Sequence, residues 1–179
     1  MNKKVIDVLS VVFGLLEIVA MIAIALSITS EIKYNDIEPS VFATSCCLFI
    51  TVIFGFYYLL AGCKKGEGST LYVGYMGAMA VCDLVALTGE VSPWQAVTLA
   101  IAVACSTVLC FAKDLGKKKS FSFAIVACLA KIFIFVMVLV SQEPLSSLAV
   151  NAFASLSLGL VTVFMVNAKY YDKSLRNSK

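Results

Sequence analysis

The chain has 179 residues, of which 61% are apolar and 14% are charged, and its formal net charge is +3. Soluble domains average about 45–50% apolar and 25% charged residues, so this composition is that of an integral membrane protein. Outside the apolar stretches, too few residues remain to build a soluble catalytic, nucleotide-binding or receptor domain.

Six apolar stretches, each long enough to cross a bilayer, follow one another along the chain. They run over residues 5–28, 40–61, 70–88, 93–112, 121–141 and 145–168. We therefore predict an all-α fold, a single membrane domain built as a bundle of six transmembrane helices. The first stretch is longer than the core of a signal peptide, which has about 7–15 residues, and is predicted to be retained as a helix.

Lysine and arginine are concentrated before predicted helix 1 and after helices 2, 4 and 6. Twelve of the fourteen Lys and Arg residues lie there, whereas the opposite loops contain Lys33 alone. By the positive-inside rule, both termini are predicted to be cytoplasmic in a multi-pass protein of the cell membrane. The lipid bilayer is thus the expected surrounding. Nucleic acid is not expected as a partner, because the basic residues are few and lack a stacking surface.

The three prolines of the chain recur at equivalent places. Pro39, Pro93 and Pro144 each lie at or just before the start of an even-numbered helix, shortly after an acidic residue. The even helices end in a small residue followed closely by lysine, at Ala61–Lys64, Ala112–Lys113 and Ala168–Lys169. This recurrence predicts three αα-hairpins, 1–2, 3–4 and 5–6, related by duplication. The alternative is coincidence, since proline is favoured at helix starts and lysine at cytoplasmic ends.

Catalytic and metal-binding chemistry has little support in the sequence. The chain has no histidine, the commonest metal ligand and general base. Its seven cysteines form no Cys-x-x-Cys pair, so they are interpreted as small packing residues. We expect no metal, no cofactor and no catalytic residue. An enzyme acting on lipid or isoprenoid is a further alternative, but the sequence contains no motif that supports it.

Small and polar residues recur at spacings of three and four, which puts them on one face of each helix. Such stripes are typical of close helix packing in membranes, and they also suit the lining of a polar cavity. For the second interpretation the candidate lining residues are Thr51, Ser106, Ser155 and Thr162.

Three charged side chains lie well inside the stretches, one in each odd-numbered helix: Glu17, Asp83 and Lys131. At 1.5 Å per residue they fall roughly 15–20 Å from the inner ends of their helices. Each costs about 2.5–3.5 kcal/mol at mid-membrane, which favours a central cluster of Lys131 with Glu17, Asp83 or both. Asn151 is placed to donate to the same cluster.

The cluster admits three interpretations: a structural ion pair, a site that binds a solute or ion, or extension of Asp83 to the outer surface. If all three groups are ionised the cluster carries a charge of −1, so one carboxyl should be protonated or a cation should enter. Glu17, Asp83, Lys131 and Asn151 are therefore the candidate ligand- or ion-binding residues.

Two functions of different classes follow. The first is a membrane-embedded unit that binds or translocates a small solute or cation, as a homo-oligomer or as a subunit of a membrane complex. The alternative is a non-enzymatic interaction or scaffold subunit. In size and helix number the chain is similar to the vitamin-binding subunits of energy-coupling-factor transporters. It lacks the Ala-x-x-x-Ala face of their first helix, because Ala20, Ala23 and Ala25 have other spacings.

Overall fold

The computed structural model describes residues 3–34, 38–62, 68–111, 115–141 and 146–176. These residues form six α-helices and no strand: α1 (Lys3–Tyr34), α2 (Pro39–Tyr57), α3 (Gly68–Ala86), α4 (Pro93–Phe111), α5 (Lys117–Ser141) and α6 (Ser147–Arg176). A π-helical turn, Tyr58–Gly62, continues α2. The predicted all-α fold with six helices is confirmed. Two of the predicted helix ends, Ala112 and Leu145, lie outside the described residues.

Among the described residues, five helices are long and apolar enough to cross a membrane. Their apolar spans are Val5–Ser30, Pro39–Leu60, Pro93–Phe111, Lys117–Ser141 and Ser147–Tyr170. The apolar part of α3, Thr70–Ala86, is shorter and extends over about 26 Å at 1.5 Å per residue, compared with a hydrocarbon layer of about 30 Å. The helices are compatible with a multi-pass membrane protein.

Local sequence signals explain where two of the helices begin. Pro39 and Pro93 are the first residues of α2 and α4, where a missing N–H removes no helical hydrogen bond. Before α4, Ser92 and Gln95 cap each other: the Ser92 N–H donates to Gln95 Oε1 over 2.9 Å, and the Gln95 N–H donates to Ser92 Oγ over 3.4 Å. The third proline, Pro144, lies outside the described residues.

Contacts between the helices follow the order of the chain and close into a ring. Each helix packs against the next, and α6 returns to pack against α1. α6 also contacts α2 and α3, and 67% of its apolar span is buried, compared with 28–39% in the other four long helices. The last helix, α6, is therefore the most deeply buried member of the ring and packs across its interior. Since α4 packs mainly against α3 and α5, the three hairpins differ in their packing, and the duplication stays a prediction.

The two ends of the bundle differ in composition. At the proline end, α1, α3 and α5 stop, and α2 and α4 begin with Pro39 and Pro93. At the lysine end, α5 begins with Lys117–Lys119. The ring centroids of Phe13 and Phe164 lie 5.0 Å apart, so the first half of α1 meets the second half of α6. The helical chain thus begins and ends at the lysine end.

Side chains join the helices at the lysine end. The Tyr170 hydroxyl of α6 lies 2.8 Å from Ser120 Oγ of α5 and donates to the carbonyl of Leu115. The Lys169 ammonium lies 4.3 Å from the centre of the Tyr72 ring of α3. These contacts hold α3, α5 and α6 together at this end.

Candidate functional site

The buried lysine of α5 forms an ion pair with the aspartate of α3. Lys131 Nζ donates to Asp83 Oδ1 over 2.7 Å and to Ser155 Oγ of α6 over 2.9 Å. The Lys131 and Asp83 side chains are each only 2% exposed, so both charges are removed from solvent. Asp83 is therefore buried and paired, and it does not extend to the surface. The three side chains fix α3, α5 and α6 in one register.

A glycine of α6 makes room for the lysine. A Cβ placed on Gly159 would lie 3.1 Å from Lys131 Cδ and 3.4 Å from Cys128 Cα. The absence of a side chain therefore lets α5 approach α6 closely while the Lys131 stem crosses between them.

A cavity of about 640 Å³ opens between the helices at the proline end and reaches the ion pair. Every helix contributes to its lining: Ser30 of α1, Thr44 of α2, Asp83 of α3, Gln95 of α4, Val138 of α5 and Ser155 of α6. Asp83 and Ser155 are also the two partners of Lys131. The second carboxylate oxygen of Asp83, Oδ2, is buried and has no hydrogen-bond partner among the described residues. Asp83, a residue of the cavity wall, thus carries a buried acceptor atom without a donor.

Asn151 lies on the cavity wall and connects α6 to α2. Its Oδ1 accepts a hydrogen bond from Ser45 Oγ over 2.9 Å, and its Nδ2 donates to the carbonyl of Val41 over 3.2 Å. The amide therefore sets the spacing of two helices beside the cavity. Its hydrogen bonds go to α2 and not to the ion pair, where the sequence placed it.

Glu17 lies in a different part of the core. Its side chain is fully buried, and neither carboxyl oxygen has a hydrogen-bond partner among the described residues. A Cβ placed on Gly55 would lie 3.8 Å from Glu17 Cδ and 3.0 Å from the Tyr75 ring, so the carboxyl packs between α1, α2 and α3. The predicted cluster therefore contains Asp83 and not Glu17, because α1 packs mainly against α2 and α6.

The four candidate lining residues have separate environments. Ser155 lines the cavity. Thr51 and Thr162 are fully buried and donate to the backbone carbonyl four residues earlier, over 2.7 and 2.8 Å. Ser106 is also fully buried, and its hydroxyl has no partner among the described residues. The stripes thus serve mainly to pack helices, and one of the four residues lies on this cavity.

Two functional candidates were missed by sequence reasoning. Glu38 and Glu90 line the outer part of the cavity, and both are exposed. Glu38 Oε1 accepts a hydrogen bond from Ser40 Oγ over 2.8 Å. A signal for them was present, since each closely precedes a proline that begins a helix at the same end of the bundle. Acidic residues near a helix N-terminus are favoured by the helix dipole alone, so their position in the sequence does not by itself indicate a functional role.

The described residues contain no group of three or more His, Cys, Asp or Glu side chains that could hold a metal ion. Six described cysteines are free thiols, and Cys82 is the one that lines the cavity. The seventh, Cys63, lies outside the described residues.

Comparisons with known proteins add no further information on this site. No protein-family model, no curated protein and no solved structure matches the chain. Functional inference therefore depends on the geometry and chemistry of the residues described above.

Proposed function

We propose that the protein is a membrane-embedded unit that binds or translocates a small solute through the cavity at the proline end. The observation that carries this proposal is that Asp83 and Ser155, the two partners of Lys131, both line the cavity. An ion pair that served only to fix helix register would not need to lie beside a cavity wall.

The size and lining of the cavity support this proposal. Small-molecule sites are typically clefts of about 300–1,000 Å³ with apolar walls and a few placed polar groups. The cavity has a volume of about 640 Å³, and Leu48, Leu99, Ile134 and Val138 supply apolar wall. Asp83, Asn151 and Ser155 supply buried or half-buried polar groups on the same wall. This combination suits a solute with one polar head and a hydrocarbon body.

The direction of entry follows from the charges at the two ends. We place the lysine end in the cytoplasm, because twelve of the fourteen basic residues lie on that side of the predicted topology. The cavity then opens on the outer face of the cell membrane. We further propose a binding role without catalysis, exercised as a homo-oligomer or as a subunit of a membrane complex.

The proposal is tested by a thermal-shift screen of the purified protein against small amino acids, amines, vitamins and cations. A specific solute should raise the unfolding temperature progressively with the logarithm of its concentration above Kd, since it stabilises the folded state by mass action. Thr44→Trp, which puts a large side chain on the cavity wall, should abolish the shift.

Thr98→Trp is the matched control. Thr44 and Thr98 each donate to the backbone carbonyl four residues earlier, over 2.8 and 2.7 Å, and Thr98 of α4 is not among the described residues that line the cavity. This variant should bind like the wild type. If solutes shift both tryptophan variants equally, binding occurs elsewhere and the proposed site is wrong. If no solute raises the unfolding temperature of the wild-type protein, the result favours the alternative function as a scaffold subunit.

A further inference from the structure

The charged side chains that line the cavity are all acidic. Within the described lining they are Glu38, Glu90 and Asp83, and no basic residue accompanies them. Lys131 reaches Asp83 from α5 and balances one of these three charges. Two exposed carboxylates therefore remain at the opening, and a concave surface lined by one sign of charge raises the local concentration of the opposite ion.

The free oxygen of Asp83 is a second and independent observation. Lys131 occupies Oδ1, while Oδ2 is buried without a partner among the described residues. Buried acceptors are nearly always paired, and an unpaired one is costly to the folded state. Because Asp83 lies on the cavity wall, a ligand N–H group that reached this atom would supply the missing donor.

The rest of the lining favours an organic cation over a metal ion. The described residues provide no cluster of three carboxylate, thiol or imidazole groups for a metal. Leu48, Leu99, Ile134 and Val138 instead provide hydrocarbon surface beside the acidic groups. A metal ion would leave this apolar surface uncovered, whereas an alkyl or aryl body would cover it.

We propose that the cavity selects a small organic cation, an amine or guanidine whose N–H groups donate to Asp83 Oδ2 while its hydrocarbon body lies on the apolar wall. This inference rests on the proposed solute-binding function and names the class of solute. Glu38 and Glu90 attract the cation to the opening, and the Asp83–Lys131 pair receives it inside.

The test uses the purified full-length protein and probes that share one skeleton: butylamine, butylguanidine, butanol and butyrate, together with the phenethyl members of the same series. Binding is measured by thermal shift and by calorimetric titration at low and high salt. The amine and guanidine members should bind at least tenfold more tightly than the alcohol and the carboxylate at low salt. This preference should shrink as salt screens the opening.

Two conservative variants test the role of the opening without disturbing the buried pair. Glu38→Gln and Glu90→Gln together should weaken cation binding at least threefold and leave alcohol binding unchanged. Glutamine at position 38 keeps an acceptor for Ser40 Oγ, so the local fold is preserved. The control is Asp7→Asn, which neutralises an exposed carboxylate in the first turns of α1, at the lysine end.

The failures of the two proposals can be told apart. Preferred binding of the alcohol or carboxylate members, or cation binding that Asp7→Asn weakens as much as the glutamine variants do, overturns the cation inference and leaves the solute-binding function intact. Absence of cation binding in a preparation that binds another solute does the same. Absence of binding by every probe and every solute of the broader screen overturns both.

Discussion

At the scale of single residues, Lys131 and Asp83 depend on each other. Each is 2% exposed, and they are joined over 2.7 Å. Lys131→Met should lower the free energy of unfolding by about 3–5 kcal/mol, because Asp83 is left as an unpaired buried charge. Adding Asp83→Asn should recover most of that loss. Equilibrium unfolding in mixed detergent micelles measures both. A double variant as unstable as the single one would contradict a simple pair.

Glu17 should respond in the opposite sense. Its carboxyl group is fully buried without a hydrogen-bond partner among the described residues. Glu17→Met keeps an unbranched side chain of similar size and removes the unsatisfied polar group, so it should raise the free energy of unfolding by about 1–3 kcal/mol. The same unfolding assay tests this. A loss of stability comparable to that of Lys131→Met would mean that Glu17 has a charged partner.

At the scale of helices, close approach of α5 and α6 depends on Gly159. Gly159→Ala should lower the free energy of unfolding by about 1–3 kcal/mol, because the new methyl group meets Lys131 Cδ at 3.1 Å and a backbone atom at 3.4 Å. Gly77→Ala in α3 is the control, since its Cβ would meet Cys110 Sγ at an ordinary 3.8 Å. This control should be neutral or more stable by up to about 1 kcal/mol, through helix propensity. Equal losses in both variants would contradict the argument.

The helices themselves were predictable because apolar length reports the hydrocarbon layer directly. The ends of the helices were less predictable. Helix α1 continues to Tyr34 and α6 to Arg176, beyond the predicted ends at residues 28 and 168. A helix can continue into the interface, where charged and polar residues are tolerated, and apolar length does not detect that part. The capping pair Ser92 and Gln95 was an overlooked local signal for the start of α4.

The site was predictable in its chemistry and only partly in its geometry. The cost of an unpaired charge in lipid was sufficient reason to expect a carboxylate beside Lys131. Depth along each helix can be counted from the sequence, and by depth alone Glu17 and Asp83 were equally good partners for Lys131. Which side of a helix faces the core cannot be inferred from the sequence when apolar residues surround the helix. The packing order of the helices was therefore needed to tell that Asp83, and not Glu17, pairs with Lys131. It was also needed to tell that Ser155, and not Ser106, lines the cavity.

At the scale of the whole molecule, the cavity opens at one end of the ring only, among the described residues. Tyr170, Ser120 and Leu115 join helices at the lysine end, and the cavity opens at the proline end. An asymmetric bundle of this kind suits access from one face of the membrane. Which face that is depends on the side of the membrane on which the lysine end lies, and the basic residues predict that this side is the cytoplasm.

Reporter fusions test that orientation. A fluorescent protein that matures only in the cytoplasm, fused after Lys179, should be bright, and an alkaline phosphatase that is active only outside should be inactive there, because the lysine-rich end is retained inside. The same reporters fused after Ser141, at the end of α5, should give the reverse pattern, since one span fewer precedes them. Phosphatase activity at both positions would mean that α6 does not cross the membrane. Phosphatase activity after Lys179 alone would mean that the lysine end lies outside the cell. The cavity would then take its solute from the cytoplasm.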